Sequence, residues 1–411
     1  MKTKINILHI VGGHSSGGAF RGAYILHNNL KKLNINSFII NDNLANKREI
    51  RESNFFYIND SIYSKFINYL FIKLEKAIKY IFLPLKRSTF TIGLLGFDIT
   101  KKKIYEKADI VHFHWFGDGF INISSLKKIN KPIVWTMRDM WCFTGGPHYL
   151  VDFDNLKKNF LNNYLLKYKK KIFKKKIQFI AISHWLKKKA MSSPILKHAN
   201  IKTIYNNVEH DQFKSYSKSY ARSQLDILTN KKIILYGADN PQNPRKGWNI
   251  LLKTIKKLDK EKYYLIIFGK FWSNKTIENL GIQFRNFGYV KCKKKLSYIY
   301  SSADIFLAIS SEEAFGKTWA EAMLCNTPVI CFKNSSTSEV LKHKINGYVC
   351  SKKNSNSLKV AIEWMTNSNG NKISKQNLRK ICKIFRPYLI AKQYLEVYKY
   401  LLKSKETNIQ N

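Results

Sequence analysis

The sequence is poor in acidic residues and has no long apolar run. Its 27 Asp and Glu residues stand against 72 Lys and Arg, which gives a formal net charge of +45. No stretch of about 18 uninterrupted apolar residues occurs, so we expect no membrane-spanning helix. The apolar run in MKTKINILHIVGG is short and leads into glycines, unlike that of a signal peptide. We therefore expect a cytoplasmic protein.

Paired cysteines are also missing. The six cysteines are scattered, and no two of them form a C-x2-C pair. Protein zinc sites usually combine such pairs with further Cys or His residues at fixed spacing. The sequence therefore predicts no zinc site, and we expect reduced, buried thiols at Cys142, Cys292, Cys325, Cys331, Cys350 and Cys382.

The basic composition suggests an anionic partner. The basic residues are mostly Lys, and the sequence contains no RNP-like aromatic motif, recognition-helix pattern or zinc finger. A polybasic surface is also attracted to anionic lipid, by roughly 1 kcal/mol per residue near the membrane. We therefore expect an anionic membrane surface as a partner rather than nucleic acid.

The length of 411 residues fits two domains of about 200 residues each. Short apolar runs alternate with helical stretches, the pattern of doubly wound parallel sheets, and two such sets predict two Rossmann-like domains. The predicted strands are Ile5–Val11, Ser37–Ile40, Asp109–Trp115, Pro132–Met137 and Gln178–Ser183, then Lys232–Ala238, Tyr264–Gly269, Asp304–Ser310 and Pro328–Phe332.

The most informative motif is SSEEAFGKTWAEAM, in which Glu313 and Glu321 form an E-x7-E pattern. The preceding apolar run predicts a buried strand, and TWAEAM predicts a helix. Gly316 permits close approach of a ligand, and free amides at a helix start favour a diphosphate. The pattern fits a nucleotide-sugar site that includes Phe315, Lys317 and Thr318. Spacing alone fits equally a surface loop with solvated carboxylates.

Three further glycine-rich or basic turns follow predicted strands. Arg245 and Lys246 stand before a helix, where cations can neutralise a diphosphate, although a solvated basic turn fits too. Gly269 ends a strand where the backbone can approach a nucleotide. The glycines of VGGHSSGGAF, among them Gly17 and Gly18, precede a helix near Ala19 and suit a phosphate.

Two polar groups lie on or just after strands of the first half. In IVWTMRDMWCFTGGPHY, Arg138 and Asp139 end a buried strand and His148 follows, which favours a site over a structural ion pair. In DIVHFHW, His112 and His114 lie on one face of a strand. That spacing suits a metal, but no third ligand is evident, so we expect structural histidines.

The segment SIYSKFINYLFIKLEKAIKYIFLPLKR has helical apolar spacing. Two interpretations remain open. The helix packs in the core, or its residues 66–85 lie on a membrane surface. The apolar positions are Ile67, Leu70, Phe71, Leu74, Ile78, Ile81 and Leu85.

Nearly the whole chain resembles the retaining glycosyltransferases of family 4, which have the GT-B fold. The resemblance rests on the first glycine loop, the RDMW segment, the R-K-G turn, the G-x-V-x5-L-x2-Y-x3-D pattern and E-x7-E. It implies two Rossmann-like domains facing across a cleft: residues 1–205 bind the acceptor and 206–385 the nucleotide sugar. The connection near Tyr205–Phe213 matches the family, and a final helix in 386–411 returns to the first domain.

The resemblance also assigns roles in the donor site. Glu313 binds donor-sugar hydroxyls and acts at the catalytic centre, Glu321 binds the ribose, and backbone near Tyr289 and Val290 reads the base. Ala238 or Asp239 stands where the family usually has an Arg, so Arg245 substitutes for it.

The RDMW segment resembles W-T-x-H-D-M-W-x-F-T-G-G-C-H-Y, found in a branch associated with bacterial surface polysaccharides. Arg138 stands where many members have His, and Pro147 where many have Cys. Orienting the acceptor at the catalytic centre then falls to Asp139, Arg138 or His148.

The implied reaction is retaining transfer of a sugar from a nucleoside diphosphate, with uridine favoured, to a lipid-linked or growing surface polysaccharide. No metal or cofactor is expected, because Arg245, Lys246 and helix-end amides can stabilise the diphosphate. The enzyme would be peripheral at the inner face of the cell membrane. Two alternatives are another GT-B nucleotide-sugar enzyme such as an epimerase, and a basic nucleic-acid-binding protein.

Overall fold

A computed structural model describes residues 4–14, 17–42, 50, 52–83, 89–151, 159–271, 273–367, 373 and 375–410. The chain divides into two compact units. Unit 1 comprises Met1–Asn207 and Pro387–Asn411, and unit 2 comprises Val208–Arg386. Within the described residues, every helix is too short or too polar to cross a membrane.

Unit 1 contains a parallel sheet with helices between its strands. The strand order is β3-β2-β1-β4-β5-β6-β7. The strands are β1 (Asn6–Ile10), β2 (Asn36–Asn41), β3 (Phe55–Tyr57), β4 (Ile110–Phe113), β5 (Ile133–Met137), β6 (Ile177–Ala181) and β7 (Ile201–Thr203). The helices before the second unit are α1 (Gly18–Lys32), α2 (Ile62–Phe82), α3 (Lys103–Lys107), α4 (Phe160–Ile172) and α5 (His184–Met191).

Unit 2 repeats this plan with strand order β10-β9-β8-β11-β12-β13, again all parallel. Its strands are β8 (Lys232–Gly237), β9 (Tyr263–Phe268), β10 (Phe284–Asn286), β11 (Ile305–Ala308), β12 (Val329–Phe332) and β13 (Gly347–Cys350). Its helices are α6 (Lys218–Ser223), α7 (Trp248–Ile255), α8 (Lys275–Glu278), α9 (Lys293–Ser302), α10 (Lys317–Leu324), α11 (Ser355–Thr366) and α12 (Lys375–Cys382).

The prediction of two Rossmann-like domains is confirmed, and each predicted strand is present. The central strands are almost wholly buried apolar runs, as expected where helices cover both faces of a parallel sheet. The strands that the sequence did not indicate are β3, β7, β10 and β13. They are short and lie near the sheet edges, so their composition carries little periodic signal.

The last helix, α13 (Pro387–Gln410), belongs to unit 1. Its buried residues Ile390, Tyr394 and Val397 pack in one cluster with Leu26 and Leu30 of α1. The Tyr394 and Tyr398 hydroxyls reach the sheet and are buried there. The C-terminal helix therefore completes the core of the unit that begins the chain.

Helix α2 buries polar residues and exposes apolar ones, the reverse of an ordinary surface helix. Its buried residues are polar: Ser64, Asn68 and Glu75. Several of its apolar side chains face solvent instead, with Leu74 52% and Ile81 72% exposed. The core-helix interpretation is therefore wrong for these positions, although Phe71 and Ile78 are half-buried. Leu85 lies outside the described residues.

The cysteines are free thiols, and five of them are buried as predicted. The prediction is wrong for Cys292, which is exposed because it lies in the loop immediately before α9.

Candidate active site

The E-x7-E motif occupies the turn between β11 and α10. Gly316 precedes the helix with φ of +74°, a conformation that favours glycine. A Cβ atom there would lie 2.9 Å from Cγ of Glu313. The glycine therefore allows the turn to fold tightly over the Glu313 side chain.

Glu313 is held by the basic turn that follows β8. Its carboxylate forms ion pairs with Lys246 and, at 3.6 Å, with Arg245. Two further bonds join the turns: the Arg245 guanidinium donates to the Glu312 carbonyl at 2.7 Å, and the Ser311 amide donates to the Arg245 carbonyl at 2.7 Å. The R-K-G turn after β8 and the E-x7-E turn after β11 are distant in sequence, and these bonds hold them together.

The electrostatics of this cluster keep Glu313 ionised. Burial alone would raise the pKa of Glu313, but Lys246 and Arg245 outweigh it, and the pKa lies below its usual value. Burial lowers the pKa of Lys246, and Glu313 partly opposes that effect. Two cations facing one carboxylate leave a net positive charge beside the α10 N-terminus, which suits an anion.

A cavity in unit 2 opens beside this ion cluster. Its walls include Lys246, Glu313, Gly316 and Thr318, together with Tyr236–Ala238 at the end of β8. Phe315 lies elsewhere: its ring is buried against Trp319 and Phe385, and its carbonyl accepts from the Trp319 indole at 2.7 Å. Lys317, the first residue of α10, does not line this cavity.

Glu321 lies one turn into α10 and is buried. The Tyr300 hydroxyl donates to its Oε2 at 2.9 Å. Since both motif glutamates are largely buried and hydrogen-bonded, the interpretation of E-x7-E as a solvated surface loop is wrong. Tyr300, on α9, is a supporting residue that the sequence did not single out.

The predicted nucleotide-reading loop lies beside Gly269. That glycine has φ of +131°, and a Cβ atom there would overlap the Ala238 carbonyl. Its amide donates to the Gly288 carbonyl at 2.7 Å, immediately before the exposed Tyr289 and half-buried Val290. Gly269 therefore brings the 288–290 loop against the turn after β8.

The turn after β8 carries no arginine at its start. Ala238 lines the cavity, whereas Asp239 pairs with Lys270 at 3.4 Å. Arg245 is the guanidinium that this part of unit 2 brings to Glu313.

In unit 1, Asp139 and His148 form a buried pair, with 2.6 Å between Oδ2 and Nδ1. A carboxylate can only accept, so Nδ1 donates to it, and Nε2 is hydrogen-bonded to the Thr91 hydroxyl at 3.0 Å. The Trp115 indole nitrogen lies 3.1 Å from the same Nδ1. The Trp141 amide donates to the second carboxylate oxygen at 2.9 Å.

Arg138 points away from this pair, although it is the preceding residue. It donates to Asn206 at 2.8 Å and to Nδ1 of His114 at 3.2 Å. A Cβ atom on Gly22 would clash with the guanidinium, so that glycine makes room for it. Burial lowers the pKa of Arg138. Arg138 and Asp139 thus belong to two different clusters.

The histidine cluster has a third member that the sequence analysis missed. His9 on β1 is the register partner of His112 on β4, and ring nitrogens of His9, His112 and His114 lie within 4.8 Å of one another. The prediction that no third candidate ligand lies near His112 and His114 is therefore wrong. Parallel pairing of β1 with β4 places His9 beside His112, and the sequence of one strand does not indicate which strand pairs with it.

The donor set of this cluster does not fit a metal ion. Arg138 donates to His114 Nδ1, so His114 Nε2 carries a proton and donates to His9 Nδ1 at 3.0 Å. Both nitrogens of His112 are bonded, to Tyr398 at 2.7 Å and Thr136 at 2.8 Å. Burial lowers the pKa of each histidine, and the Arg138 charge would repel a cation.

The first glycine loop is already hydrogen-bonded within unit 1. The Gly13 amide donates to both Asp42 oxygens at 3.0 Å, and the Gly12 amide donates to the Trp115 carbonyl at 2.8 Å. The Gly17 amide donates to His14, whereas a Cβ atom on Gly18 would meet open space. Asp42 makes the start of this loop a poor phosphate cradle, because it places a buried carboxylate there.

Lys169 is a second residue that the sequence did not reveal. Its ammonium lies 3.5 Å from the centre of the Trp141 ring and donates to the Trp141 and Thr144 carbonyls at 2.7 and 3.1 Å. Burial lowers its pKa to about 7. Lys169 stabilises the 141–144 turn beside Asp139, but it lies in a lysine-rich run that resembles a solvated surface.

Comparison with known proteins gives two family matches. Residues 16–212 match the family described as Glycosyltransferase Family 4, and residues 218–383 match Glycosyl transferases group 1. An uncharacterized 41.2 kDa protein of the cps region of Klebsiella pneumoniae is 26% identical, over 79% of this chain and 87% of that protein. An uncharacterized glycosyltransferase of Methanocaldococcus jannaschii is 25% identical, over 75% and 77%.

Solved structures agree on the fold. Sucrose-phosphate synthase from Thermosynechococcus elongatus has a TM-score of 0.73 at 17% identity, over 98% of this chain and 100% of that one. HepE of Anabaena, solved with UDP-glucose, has a TM-score of 0.64 at 15% identity, over 96% and 100%. WaaG, a glycosyltransferase involved in lipopolysaccharide biosynthesis, has a TM-score of 0.64 at 13% identity, over 96% and 99%. The chain is a glycosyltransferase of the GT-B fold, with one family 4 domain and one group 1 domain.

Proposed function

We propose that this enzyme transfers a sugar, with retention of anomeric configuration, from a nucleoside diphosphate to a surface-polysaccharide acceptor. The observation that carries the proposal is the cluster of Glu313, Lys246 and Arg245 beside the α10 N-terminus. It combines a carboxylate that can accept bonds from sugar hydroxyls with an excess of positive charge for a diphosphate.

The donor site lies in unit 2. Glu313 binds hydroxyls of the sugar, Glu321 binds the ribose, and Lys246, Arg245 and the α10 amides bind the diphosphate. The 288–290 loop beside Gly269 contacts the base. HepE was solved with UDP-glucose, which supports uridine as the base here too.

In the reaction, an acceptor hydroxyl oxygen forms a bond to the anomeric carbon while the bond from that carbon to the diphosphate oxygen breaks. Retention follows if both events occur on one face of the sugar, and the departing phosphate then takes the hydroxyl proton. Lys246, Arg245 and the helix-end amides stabilise the negative charge that develops on the diphosphate, without a metal or cofactor.

Unit 1 binds the acceptor. Asp139 is the acceptor-orienting carboxylate, and His148 and the Trp141 amide fix its position. The surface-polysaccharide assignment is supported by the cps-region relative and by WaaG. A lipid-linked or growing glycan is the acceptor class we propose.

Helix α2 supports a peripheral location at the inner face of the cell membrane. Its outward face combines exposed Ile62, Phe66 and Leu74 with Lys65 and Lys73. Apolar side chains inserted between lipid headgroups, flanked by lysines that attract anionic lipid, are typical of interfacial helices. A bilayer is the occupant that matches both the apolar face and the net charge of +45.

The test begins with a thermal-shift panel of nucleoside diphosphates and their sugars, which identifies the donor. Transfer to a lipid-linked acceptor is then followed with that donor, and the anomeric configuration of the product is read by NMR. Stabilisation by one nucleotide sugar and a retained product are expected. An inverted product would contradict the mechanism, and stabilisation by none of the nucleotides would contradict the donor site.

A further inference from the structure

A second cavity lies wholly within unit 1, between α2 and two loops. Its volume is about 400 Å³, in the range of small-molecule sites. Lys76 and Lys79 of α2 form one wall. Trp115 and Asp118 from the segment after β4 form another, with Thr91 beside them. We refer to it as the α2 cavity, and the donor site uses none of its residues.

We infer that the α2 cavity binds a sugar phosphate ester, the phosphate-bearing end of the acceptor. This inference rests on the proposed function, which supplies an acceptor, and it adds the subsite and the chemistry that the subsite recognises.

Charge at the cavity favours an anion. Lys79 is committed to Asp118 and to the Phe90 carbonyl at 3.1 Å. Lys76 is exposed at the cavity wall and forms no hydrogen bond or ion pair within the part of the chain that the structure describes. Two lysines facing one aspartate leave one positive charge for a ligand, which a phosphate complements.

The buried carboxyl of Glu75, which lies near the cavity residue Asp118, does not cancel that charge. Glu75 Oε1 accepts from the Gly93 amide at 3.0 Å, and the carboxyl is buried beside that of Asp118. Burial, followed by the nearby Asp118, raises the pKa of Glu75 to about 8. Glu75 is therefore mostly protonated at neutral pH, and Lys76 keeps its charge uncompensated.

The sugar would lie against Trp115. This indole is half-buried at the cavity wall, and its ring is 5.4 Å from that of His148, with Nε1 3.1 Å from Nδ1. Thr91, on the same wall, is bonded to the other nitrogen of His148. Aromatic walls with a few polar groups are typical of small-molecule sites. The cavity therefore shares two residues with the surroundings of the Asp139–His148 pair.

The phosphate has two possible sources. A lipid-linked glycan would place its lipid along the exposed apolar face of α2, whereas a phosphate within a soluble glycan would need no such face. Both offer a sugar phosphate to Lys76 and Trp115, so the experiment includes one arm for each.

The test uses the full chain labelled with 5-fluorotryptophan and observed by ¹⁹F NMR, with the Trp115 resonance assigned through Trp115→Phe. Glucose 1-phosphate is the probe, and methyl glucoside is the matched sugar without phosphate. We expect glucose 1-phosphate to shift the Trp115 resonance and methyl glucoside to bind more weakly. Lys76→Gln should weaken the binding of glucose 1-phosphate by about 10-fold or more, because a charge-assisted bond is lost.

Lys73→Gln is the matched control, because Lys73 is an exposed lysine of the same helix that does not line the cavity. Three results would overturn the inference: equal responses to the two probes, equal affinities of the two lysine variants for glucose 1-phosphate, or a Trp115 resonance that does not shift. UDP-sugar binding is measured on the same samples. If the UDP-sugar binds and the Trp115 resonance does not shift with glucose 1-phosphate, the cavity inference alone fails. If the UDP-sugar does not bind, the proposed function fails.

A long-chain alkyl ester of glucose 1-phosphate in zwitterionic micelles separates the two sources. Tighter binding of the ester, lost in Leu74→Ser, assigns the phosphate to a lipid-linked acceptor. Equal binding of the ester and the free sugar phosphate assigns it to a soluble glycan.

Discussion

The carboxylate of Glu313 and the ammonium of Lys246 form an ion pair that joins two turns of unit 2. Both side chains are mostly buried, and Arg245 lies 3.6 Å from the same carboxylate. Replacing Lys246 removes the nearer of the two cations that face this largely buried carboxylate and leaves Glu313 with Arg245 alone. The pair is therefore a test of both the local fold and the donor site.

Lys246→Met should lower the free energy of unfolding by about 1.5–3 kcal/mol in urea titrations, because a charge-assisted bond to Glu313 is lost, with Lys253→Met as the exposed control. In the native state the pKa of Glu313 is below its ordinary value of about 4.5, so the unfolded chain binds the proton more tightly. Stability from Glu313 is thus present above about pH 4.5 and lost as the pH falls through the native pKa. Glu313→Gln should remove this part of the acid sensitivity, and an unchanged profile would contradict the ion pair.

Glu321→Ala and Glu313→Ala should affect different kinetic parameters. Glu321→Ala should weaken nucleotide affinity by about 1.5–3 kcal/mol, because a charge-assisted bond to the ribose is lost. Glu313→Ala should mainly lower kcat, because it positions the reacting sugar. Tyr300→Phe is the control for indirect effects, since it removes only the hydrogen bond to Glu321. Kinetics like those of the wild type in both glutamate variants would remove the basis for the donor assignment.

Asp139→Asn should reduce sugar transfer without changing nucleotide affinity. The amide can no longer accept as strongly from His148, and it can turn an NH₂ group toward the Trp141 amide. The measurement compares KM for acceptor and donor with Kd for the nucleotide from calorimetry. A matched loss of nucleotide affinity would place Asp139 in the donor site instead.

Chelators should leave activity largely intact, because Lys246, Arg245 and the α10 amides supply the positive charge. Activity is measured in EDTA and after adding back single divalent ions. Complete loss in EDTA with restoration by one ion would contradict this. A His9→Gln variant then tests the histidine cluster, whose hydrogen bonds argue against a metal.

The protein should sediment with anionic vesicles, and high salt should weaken this binding without abolishing it. Salt screens charge over about 8 Å at physiological strength, whereas apolar insertion persists. Phe66→Ser with Leu74→Ser should remove the salt-resistant part, because both side chains are more than half exposed. Phe71 is a poorer choice, since its ring packs on Phe97 at 5.8 Å. Full vesicle binding by this double variant would contradict the membrane face.

The local pattern of apolar and turn residues was sufficient to predict the central strands of both sheets. Apolar runs bounded by turns predicted the central strands, because a strand covered on both faces must be apolar along its whole length. The sequence also indicated that Gly316 permits close approach before a helix, and in the structure it has a positive φ there, as does Gly247. The E-x7-E, R-K-G and RDMW segments could be identified because their residues are neighbours in the chain.

Tertiary structure decided which distant residues meet. Strand pairing placed His9 beside His112, and folding of two loops placed Lys246 on Glu313. It turned the apolar face of α2 outward, because Glu75 and Asn68 bond to Gly93 and Gly119. It also buried Lys169 from within a lysine-rich run. A sequence gives the chemistry of each side chain. Which residues far apart in the chain come into contact is decided by tertiary packing, and the local periodicity of apolar residues contains no information about that.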